Sequence, residues 1–368
     1  MRKNKISVGS IAREFNVGGN FVDTRPHGNG HINDTYLVRF SNNGKTTKYI
    51  LQRINTDIFK DFEGLMGNIV AVSEFMKEKL KKIGRDPERG ALTVIKTVSG
   101  RNYHIDGYGS VWRMFTFIDD AVSLDLPEDE NDFYQSAVAF GEFQRMLADF
   151  PADELCESIP DFHNTPVRYE AFLEAIEKDV CGRAEGVQSE IEFVKSRREF
   201  MSVLMDSNKE GKLPLKVTHN DTKMNNVMLD KDTREPVCVV DLDTIMPGFS
   251  VNDYGDSIRF GASTAAEDEK DLNKVHYDIK MFETYTRGFL KGCAGSLTDA
   301  ELSLMPEGAK MMTLECGMRF LTDYLNGDTY FKTAYKEHNL DRCRTQFKLV
   351  SEMEEQWDEM KNIIKKYI

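Results

Sequence analysis

Cysteine is scarce and unpatterned in this chain of 368 residues: six occur, at 156, 181, 238, 293, 316 and 343, with no Cys-x-x-Cys pair and no His at zinc spacing. That excludes a disulfide framework and a zinc module, and a reducing cytoplasm is the default expectation. No run of about 18 apolar residues exists, and no apolar h-region follows the basic start Met1–Lys5, so neither a spanning helix nor a secretory leader is expected. An excess of positive charge is also missing. The formal net charge is -13, which argues against a nucleic-acid partner. No internal repeat or low-complexity tract is visible. The hydrophobic share of 40% suffices for a large core, and the length suits two lobes.

The N-terminal third reads as strands around one helix. Phe21–Arg25, Asp34–Phe40 and Lys48–Ile54 have strand character, with an Asn43-Gly44 turn between the second and third. The spacing of Leu65, Ile69, Val72, Phe75 and Leu80 predicts a helix over Asp61–Ile83. Leu92–Val98 and Val111–Phe117 complete a small antiparallel sheet with one helix packed on it. After Asp119 the pattern turns helical: Phe133–Phe150, a loop over Pro151–Pro166, a charged helix over Tyr169–Ser207, and helix beyond about Lys270. The last helix carries Phe347, Val350, Met353, Trp357, Met360 and Ile364 as a core-facing stripe. The reading is therefore α+β, with an N-terminal lobe over 1–118 and a larger, mainly helical lobe over 119–368.

Chemistry concentrates in Thr218-His219-Asn220-Asp221-Thr222-Lys223-Met224-Asn225-Asn226 and in Val239-Val240-Asp241-Leu242-Asp243. Asp221 follows one apolar strand, Asn226 opens a second, and Asp241 ends a third after a short turn. Phosphoryl transfer from ATP needs such a set: a carboxylate to orient and deprotonate the attacking hydroxyl, and an amide oxygen and a second carboxylate to hold Mg²⁺ on the phosphates. Hard oxygen donors suit Mg²⁺ rather than zinc. The bland reading is that Asp and Asn simply mark turns. Upstream, Gly28 and Gly30 lie between two strands, where backbone N–H groups can cover phosphates. No Gly-Lys-Ser/Thr follows, so this is not a Walker loop.

The His-x-Asp-x-x-x-x-Asn pattern, followed by Asp after a strand, resembles the aminoglycoside phosphotransferase family, the small-molecule branch of the protein-kinase-like fold. The resemblance implies a bilobal kinase with Asp221 as catalytic base, Asn226 and Asp241 as Mg²⁺ ligands, and His219 as a loop anchor. It implies ATP contacts from the Gly28 and Gly30 turn, from Gln52 or Arg53 on the third strand, and from Phe115 and Phe117. A phosphate-pairing Lys or Arg is expected where Gln52 stands, and Asp61 and Glu63 are the candidates for an acidic partner on the following helix. Asp256 reads as structural.

A narrower resemblance lies in Gly-His-Ile-Asn-Asp-Thr-Tyr (30–36), Leu-Gln-Arg-Ile-Asn (51–55), Pro-Asp-Phe-His-Asn-Thr (160–165), Asp-Leu-Asp-Thr-Ile-Met-Pro-Gly (241–248) and the stretch 315–331. These look like the N-acetylhexosamine 1-kinases. The implied reaction is phosphorylation of the anomeric hydroxyl of N-acetylglucosamine or N-acetylgalactosamine, with His31, Arg319, Asp323 and Tyr330 binding the sugar. His163 and Arg168 could rim that pocket or pack its loop, and Arg319 could instead pair with Asp323 four residues on. A small-molecule sugar is thus the expected partner, with no nucleic acid and no membrane. The alternatives are a kinase of another hydroxylated acceptor (an aminoglycoside, choline or homoserine) and a nucleotide-binding scaffold without turnover.

Overall fold

The computed structural model describes residues 7–28 and 32–368. Gly30 and His31, expected at the nucleotide and the sugar, lie outside the described residues. The chain divides into two compact units. Unit 1 comprises Met1–Ala121, Asp153–Pro160 and Val237–Ile245; unit 2 comprises Val122–Ala152, Asp161–Pro236 and Met246–Ile368.

Unit 1 is built on an antiparallel sheet. Its strands are β1 (Asn20–Pro26), β2 (Asp34–Asn42), β3 (Lys45–Ile54), β4 (Val94–Ile95), β5 (His104–Ile105) and β6 (Val111–Thr116). Their order is β1-β2-β3-β6-β4, with β5 also on β6. Asn43 and Gly44 both take positive φ in the β2–β3 turn, which matches the right-handed twist of the strands they join. Alternation then points Val38, Phe40, Leu51, Trp112 and Met114 to one side, where they enclose Ile11 and Ala12 from the N-terminal helix Val8–Ala12 and Phe15 just after it. The Phe62–Lys82 helix begins at Asp61, whose side chain caps the Gly64 amide at 2.9 Å, and buries Leu65, Ile69, Val72 and Leu80. The expected strand Leu92–Val98 shrinks to Val94–Ile95, because β6 gives β4 only Met114 and Phe115 as partners before β5 takes over at Trp112.

Unit 2 is mainly helical. Helices Glu130–Met146 and Ile279–Cys293 pack closely. Helices Thr165–Lys178, Met305–Leu325 and His338–Glu355 share a core of Phe172, Leu314, Met318, Leu321, Phe347 and Val350. The short antiparallel strands Lys216–Thr218 and Met246–Gly248 pair beside the Ser250–Gly261 helix. That helix crosses Met305–Leu325 at backbone contact: a Cβ on Gly255 would sit 2.3 Å from the Gly308 carbonyl oxygen, and one on Gly308 would sit 2.3 Å from that of Val251. Only glycine permits this approach, and it fixes a helix whose acidic side chains support the loop described below.

Two helical expectations are corrected. The stretch 169–207 is not one helix. It breaks after Lys178, where Asp179 turns left-handed at φ 33° and Gly182 follows at φ 63°, and resumes over Gln188–Lys195 and Val203–Lys209. The C-terminal stripe spans two helices, His338–Glu355 and Trp357–Tyr367, broken at Gln356. Phe347, Val350, Met353, Met360 and Ile364 remain buried across that break, so the core-facing reading stands.

Candidate active site

In unit 2, the segment after strand Lys216–Thr218 is fixed from every side except one. His219 is fully buried, with its ring edge-on to Phe140 and Phe143 at 5.5 and 5.9 Å. Asn220 takes φ 63°, a left-handed turn that asparagine tolerates better than most residues. The carboxylate of Asp253, on the Ser250–Gly261 helix, accepts the His219 amide at 2.8 Å and the Asn220 amide at 2.7 Å, together with Gln144 Nε2 at 2.6 Å. One turn on, Asp256 accepts the Thr222 amide at 3.0 Å and pairs with Arg259 at 3.0 Å. Burial pushes the Asp256 carboxyl up, but Arg259 and Lys223 more than reverse this and leave it below the usual carboxylate value.

Between these two anchors stands Asp221, whose side chain is 30% exposed. Its amide donates to His219 Nδ1 at 3.3 Å. Lys223 Nζ lies 2.9 Å from its Oδ1, and the Asp221 charge is the leading reason the Lys223 ammonium is pushed up to about 12. Asn226 donates through Nδ2 to the Asp221 carbonyl oxygen at 2.8 Å, which leaves its amide oxygen for another partner. The loop thus presents one accessible carboxylate and one amide oxygen on a frame that cannot shift without breaking buried hydrogen bonds.

Also in unit 2, Arg319 on helix Met305–Leu325 lies among the rings of Phe162, Tyr330 and Phe331, at 5.4, 5.8 and 5.7 Å from their centroids. It makes no ion pair with Asp323. Among the described residues its guanidinium makes no hydrogen bond either, so its donors are available. Asp323 is buried instead and accepts the backbone amides of Thr329, Tyr330 and Phe331 at 2.9, 2.8 and 2.9 Å, plus Asn339 Nδ2 at 2.9 Å. Those bonds shape the loop that carries Tyr330, which is itself 60% exposed. Arg168 donates to the Phe162 carbonyl, and its guanidinium is held below the usual arginine value by burial first and the like charge of Arg319 second. His163, which could have rimmed the pocket or packed its loop, has a partner that sequence reasoning missed: Glu315, buried on the same helix as Arg319, accepts His163 Nδ1 at 2.8 Å and Thr165 Oγ1 at 2.6 Å, while His163 Nε2 faces the Asn220 carbonyl at 3.3 Å.

In unit 1, the sequence left open which of Gln52 and Arg53 faces inward. Arg53 pairs with Asp34 at the surface, both side chains about half exposed. Gln52 turns the other way, donates to Thr35 Oγ1 at 3.1 Å and accepts Arg113 Nε at 2.9 Å. Arg113, a single charge in the otherwise apolar β6, is 1% exposed and reaches Asp243 with Nη1 at 2.5 Å. Asp61 and Glu63 do not supply an inward acidic partner: the first caps its helix, and the second accepts the Tyr103 hydroxyl in an exposed contact. The buried polar residues of that helix are Asn68, Ser73 and Lys77, none of them acidic. Phe115 is buried under the Arg113 guanidinium at 5.2 Å, and the Phe117 ring carries Lys48 Nζ at 4.6 Å. Gly28 takes φ 73°, and among the described residues nothing lies within 4 Å of the place a Cβ would occupy. Asp241 is exposed and left-handed at φ 58°, ψ 57°.

Among the described residues no group of three or more His, Cys, Asp and Glu side chains gathers as an autonomous metal site. Sparse oxygen donors of the Asp and Asn type fit Mg²⁺, which binds through one or two carboxylates and takes its remaining ligands from phosphates and water. No helix of the described residues is long and apolar enough to cross a membrane.

Several solved structures share the architecture. A microcompartment-associated aminopropanol kinase superposes with a TM-score of 0.60 at 14% identity, covering 96% of this chain and 97% of that one. The GDP complex of aminoglycoside 2'-phosphotransferase-IIIa gives 0.54 at 13% identity, covering 89% and 93%. Choline kinase from Cryptosporidium parvum gives 0.53 at 13% identity, covering 94% and 92%. At these identities the likeness establishes the protein-kinase-like fold. The sequence model of the phosphotransferase enzyme family, APH, matches residues 23–287, so the chain belongs to that family.

Proposed function

We propose that this phosphotransferase is an ATP- and Mg²⁺-dependent kinase that phosphorylates the anomeric 1-hydroxyl of an N-acetylhexosamine. The observation that carries the kinase reading is Asp221: an accessible carboxylate on a loop whose neighbours His219, Asn220 and Thr222 are all buried and bonded. In this reading Asp221 orients the acceptor hydroxyl and takes its proton as the oxygen attacks the γ-phosphorus. Lys223 keeps a positive charge beside it. Asn226 and Asp241 supply oxygens to Mg²⁺, which neutralises phosphate charge when bound. Gly28 and the β3 and β6 residues Gln52, Phe115 and Phe117 serve the nucleotide. Arg53, tied to Asp34 on the surface, has the weaker claim to phosphate contact.

For the acceptor, Arg319 with its unused donors and the exposed Tyr330 suit hydroxyl and carbonyl oxygens. Asp323 acts through the loop it holds rather than by touching the sugar. Two adjacent guanidiniums, Arg168 and Arg319, disfavour cationic acceptors: choline and the aminoglycosides would meet like charge, and the aromatic rings that could cage an ammonium already surround Arg319. A neutral sugar carries no such penalty. The test is a product assay with ATP, N-acetylhexosamines, choline and an aminoglycoside, with the phosphorylated position read by ³¹P and ¹H NMR. A 1-O-methyl glycoside, blocked at the anomeric oxygen, should not be a substrate. Its phosphorylation at the rate of the free sugar would remove the 1-kinase reading and leave the kinase reading in place.

A further inference from the structure

The short turn Leu242–Thr244, which follows Asp241 directly, receives buried polar contacts from four separate parts of unit 1. From β6, Arg113 Nη1 reaches Asp243 Oδ1 at 2.5 Å. From the residue before β2, Asn33 Nδ2 donates to Asp243 Oδ2 at 2.6 Å. From the Phe62–Lys82 helix, Asn68 Nδ2 donates to the Ile245 carbonyl at 2.9 Å and to the Cys156 carbonyl at 2.7 Å, and its oxygen accepts the Cys156 amide at 3.1 Å. From the 153–160 segment, Ser158 Oγ donates to the Asp243 carbonyl at 3.3 Å. Gln52 on β3 completes the set by accepting Arg113 Nε at 2.9 Å, so the guanidinium is fixed at two edges.

This concentration needs a reason. Asp243 is buried, with Oδ2 hydrogen-bonded to Asn33 and Oδ1 in an ion pair with Arg113, so it is a poorer candidate ligand than Asp241, two residues away in the same Asp-Leu-Asp run. Asp241 is exposed and takes a left-handed backbone conformation, which aspartate tolerates better than most residues but which still needs the flanking chain to hold it in one place. The contacts on 242–245 supply that constraint.

We propose that Arg113 is a positioning residue: through the buried Arg113–Asp243 pair, braced by Asn33, Gln52 and Asn68, it locks the turn that presents Asp241 to the nucleotide-bound metal. The proposal rests on the reading of Asp241 as a Mg²⁺ ligand, and it divides the Asp-Leu-Asp run into one ligand and one anchor. It also accounts for the missing acidic partner on the Phe62–Lys82 helix. That helix reaches the metal-loop turn by a neutral side chain, Asn68, and the ion pair of this region comes from β6.

Three proteins test it: wild type, Arg113→Met and Arg113→Lys, with Mn²⁺ standing in for Mg²⁺. Mn²⁺ binding in the presence of adenylyl-imidodiphosphate is read by electron paramagnetic resonance, beside Mg²⁺ titrations of turnover and thermal unfolding. Arg113→Met should weaken Mn²⁺ binding by about 10–100-fold, the usual effect of losing a group that orients a metal ligand. Arg113→Lys should recover part of it, because an ammonium keeps the charge but cannot bridge Gln52 and Asp243 together. The acceptor KM should stay within about twofold. A folded Arg113→Met protein with wild-type Mn²⁺ binding overturns the proposal. If Arg113→Met does not fold, Asn33→Asp decides: it replaces the second donor to Asp243 by an acceptor while keeping the oxygen that receives the Asn55 amide at 2.9 Å, and unchanged Mn²⁺ binding there overturns the proposal equally. A wild-type protein that binds Mn²⁺ no better with the nucleotide than without it brings down the metal reading itself, and the positioning role with it.

Discussion

Asp253→Asn sets two physical effects against each other, and the structure says which should win. The carboxylate accepts three N–H groups: Asn220 on Oδ1, and His219 and Gln144 on Oδ2. A carboxamide has one oxygen. In its better orientation the oxygen keeps His219 and Gln144, and the new NH₂ group faces the Asn220 amide, which is buried. Losing that bond while stranding a buried donor costs about 1–3 kcal/mol. On the other side, burial pushes the Asp253 carboxyl up, so the folded protein carries a desolvated charge that the carboxamide avoids. The three donors and the neighbouring His219 offset part of that cost, and with the stranded Asn220 amide added the substitution should destabilise the fold by about 1–3 kcal/mol at neutral pH. Turnover should fall with it, since the His219 and Asn220 amides set the path of the chain into Asp221.

The pH dependence follows from the direction of the shift. A carboxyl whose folded-state value is raised binds protons more readily in the folded than in the unfolded state. Its contribution is fully present below the unfolded value, near ~3.9, and is lost as pH rises through the folded value. The wild type should therefore gain on Asp253→Asn between neutral pH and a second pH nearer the unfolded value, because the variant lacks the titrating group while sharing every other. Denaturant unfolding of both proteins at the two pH values measures the gap, with initial rates taken beside it. A variant as stable as wild type at neutral pH and equally active would refute the reasoning, since the placement of the loop would then owe nothing to these bonds.

Asp221→Asn should lower kcat by about 10²–10⁴-fold with little change in ATP affinity, and turnover within about threefold of wild type would remove it as the base. Asp241→Ala and Asn226→Ala should each raise the Mg²⁺ concentration needed for half-maximal turnover, and a normal titration would exclude that residue as a ligand. Arg319→Ala should lose about 10–150-fold in kcat/KM for the sugar, the value of a charged hydrogen bond of roughly 1.5–3 kcal/mol, with the ATP KM unchanged; Arg319→Lys should recover part. Because Arg319 has no ion pair to lose, unfolding temperatures should stay close to wild type, and a large drop would assign it a structural role instead.

The parts legible in the sequence are those whose cause is local. Alternation of Tyr36, Val38 and Phe40 with polar neighbours gave β2, and Asn43-Gly44 gave its turn, because both depend on residues within a few positions. The break after Lys178 was illegible because Asp179, rather than a glycine or proline, takes the left-handed position. The buried polar contacts were illegible for a different reason: Arg113 and Asp243, or His163 and Glu315, are far apart in the chain, and nothing local to either names the other. One signal was present. An arginine inside Val-Trp-Arg-Met-Phe, a strand buried at every one of those positions, demands a buried acceptor, and the search for one leads to the second aspartate of Asp-Leu-Asp.

Five aspartates stand in the motifs, at 221, 241, 243, 253 and 256, and apart from the family resemblance the residues themselves do not rank them. Their hydrogen bonds do. Asp243, Asp253 and Asp256 are buried, and each has oxygens committed to named donors: Arg113 and Asn33, the 219–220 amides and Gln144, and Thr222 and Arg259. A carboxylate so engaged cannot take up a substrate proton or a metal without first giving up partners it cannot replace in the core. Asp221 and Asp241 remain accessible, and each directly neighbours a segment that one or two of the buried three hold in place. On the proposed reading, the buried three hold the segments that carry the two reactive ones. The same distinction predicts how substitutions should separate in the laboratory. Changes at Asp243, Asp253 and Asp256 should lower unfolding temperature and turnover together, whereas Asp221→Asn and Asp241→Asn should lower turnover in proteins that unfold within a few degrees of wild type, because each alters a solvent-accessible side chain without changing its size. Unfolding temperatures of all five variants measured beside their kcat values would decide it, and an Asp221→Asn protein that melts as early as Asp253→Asn would contradict the division.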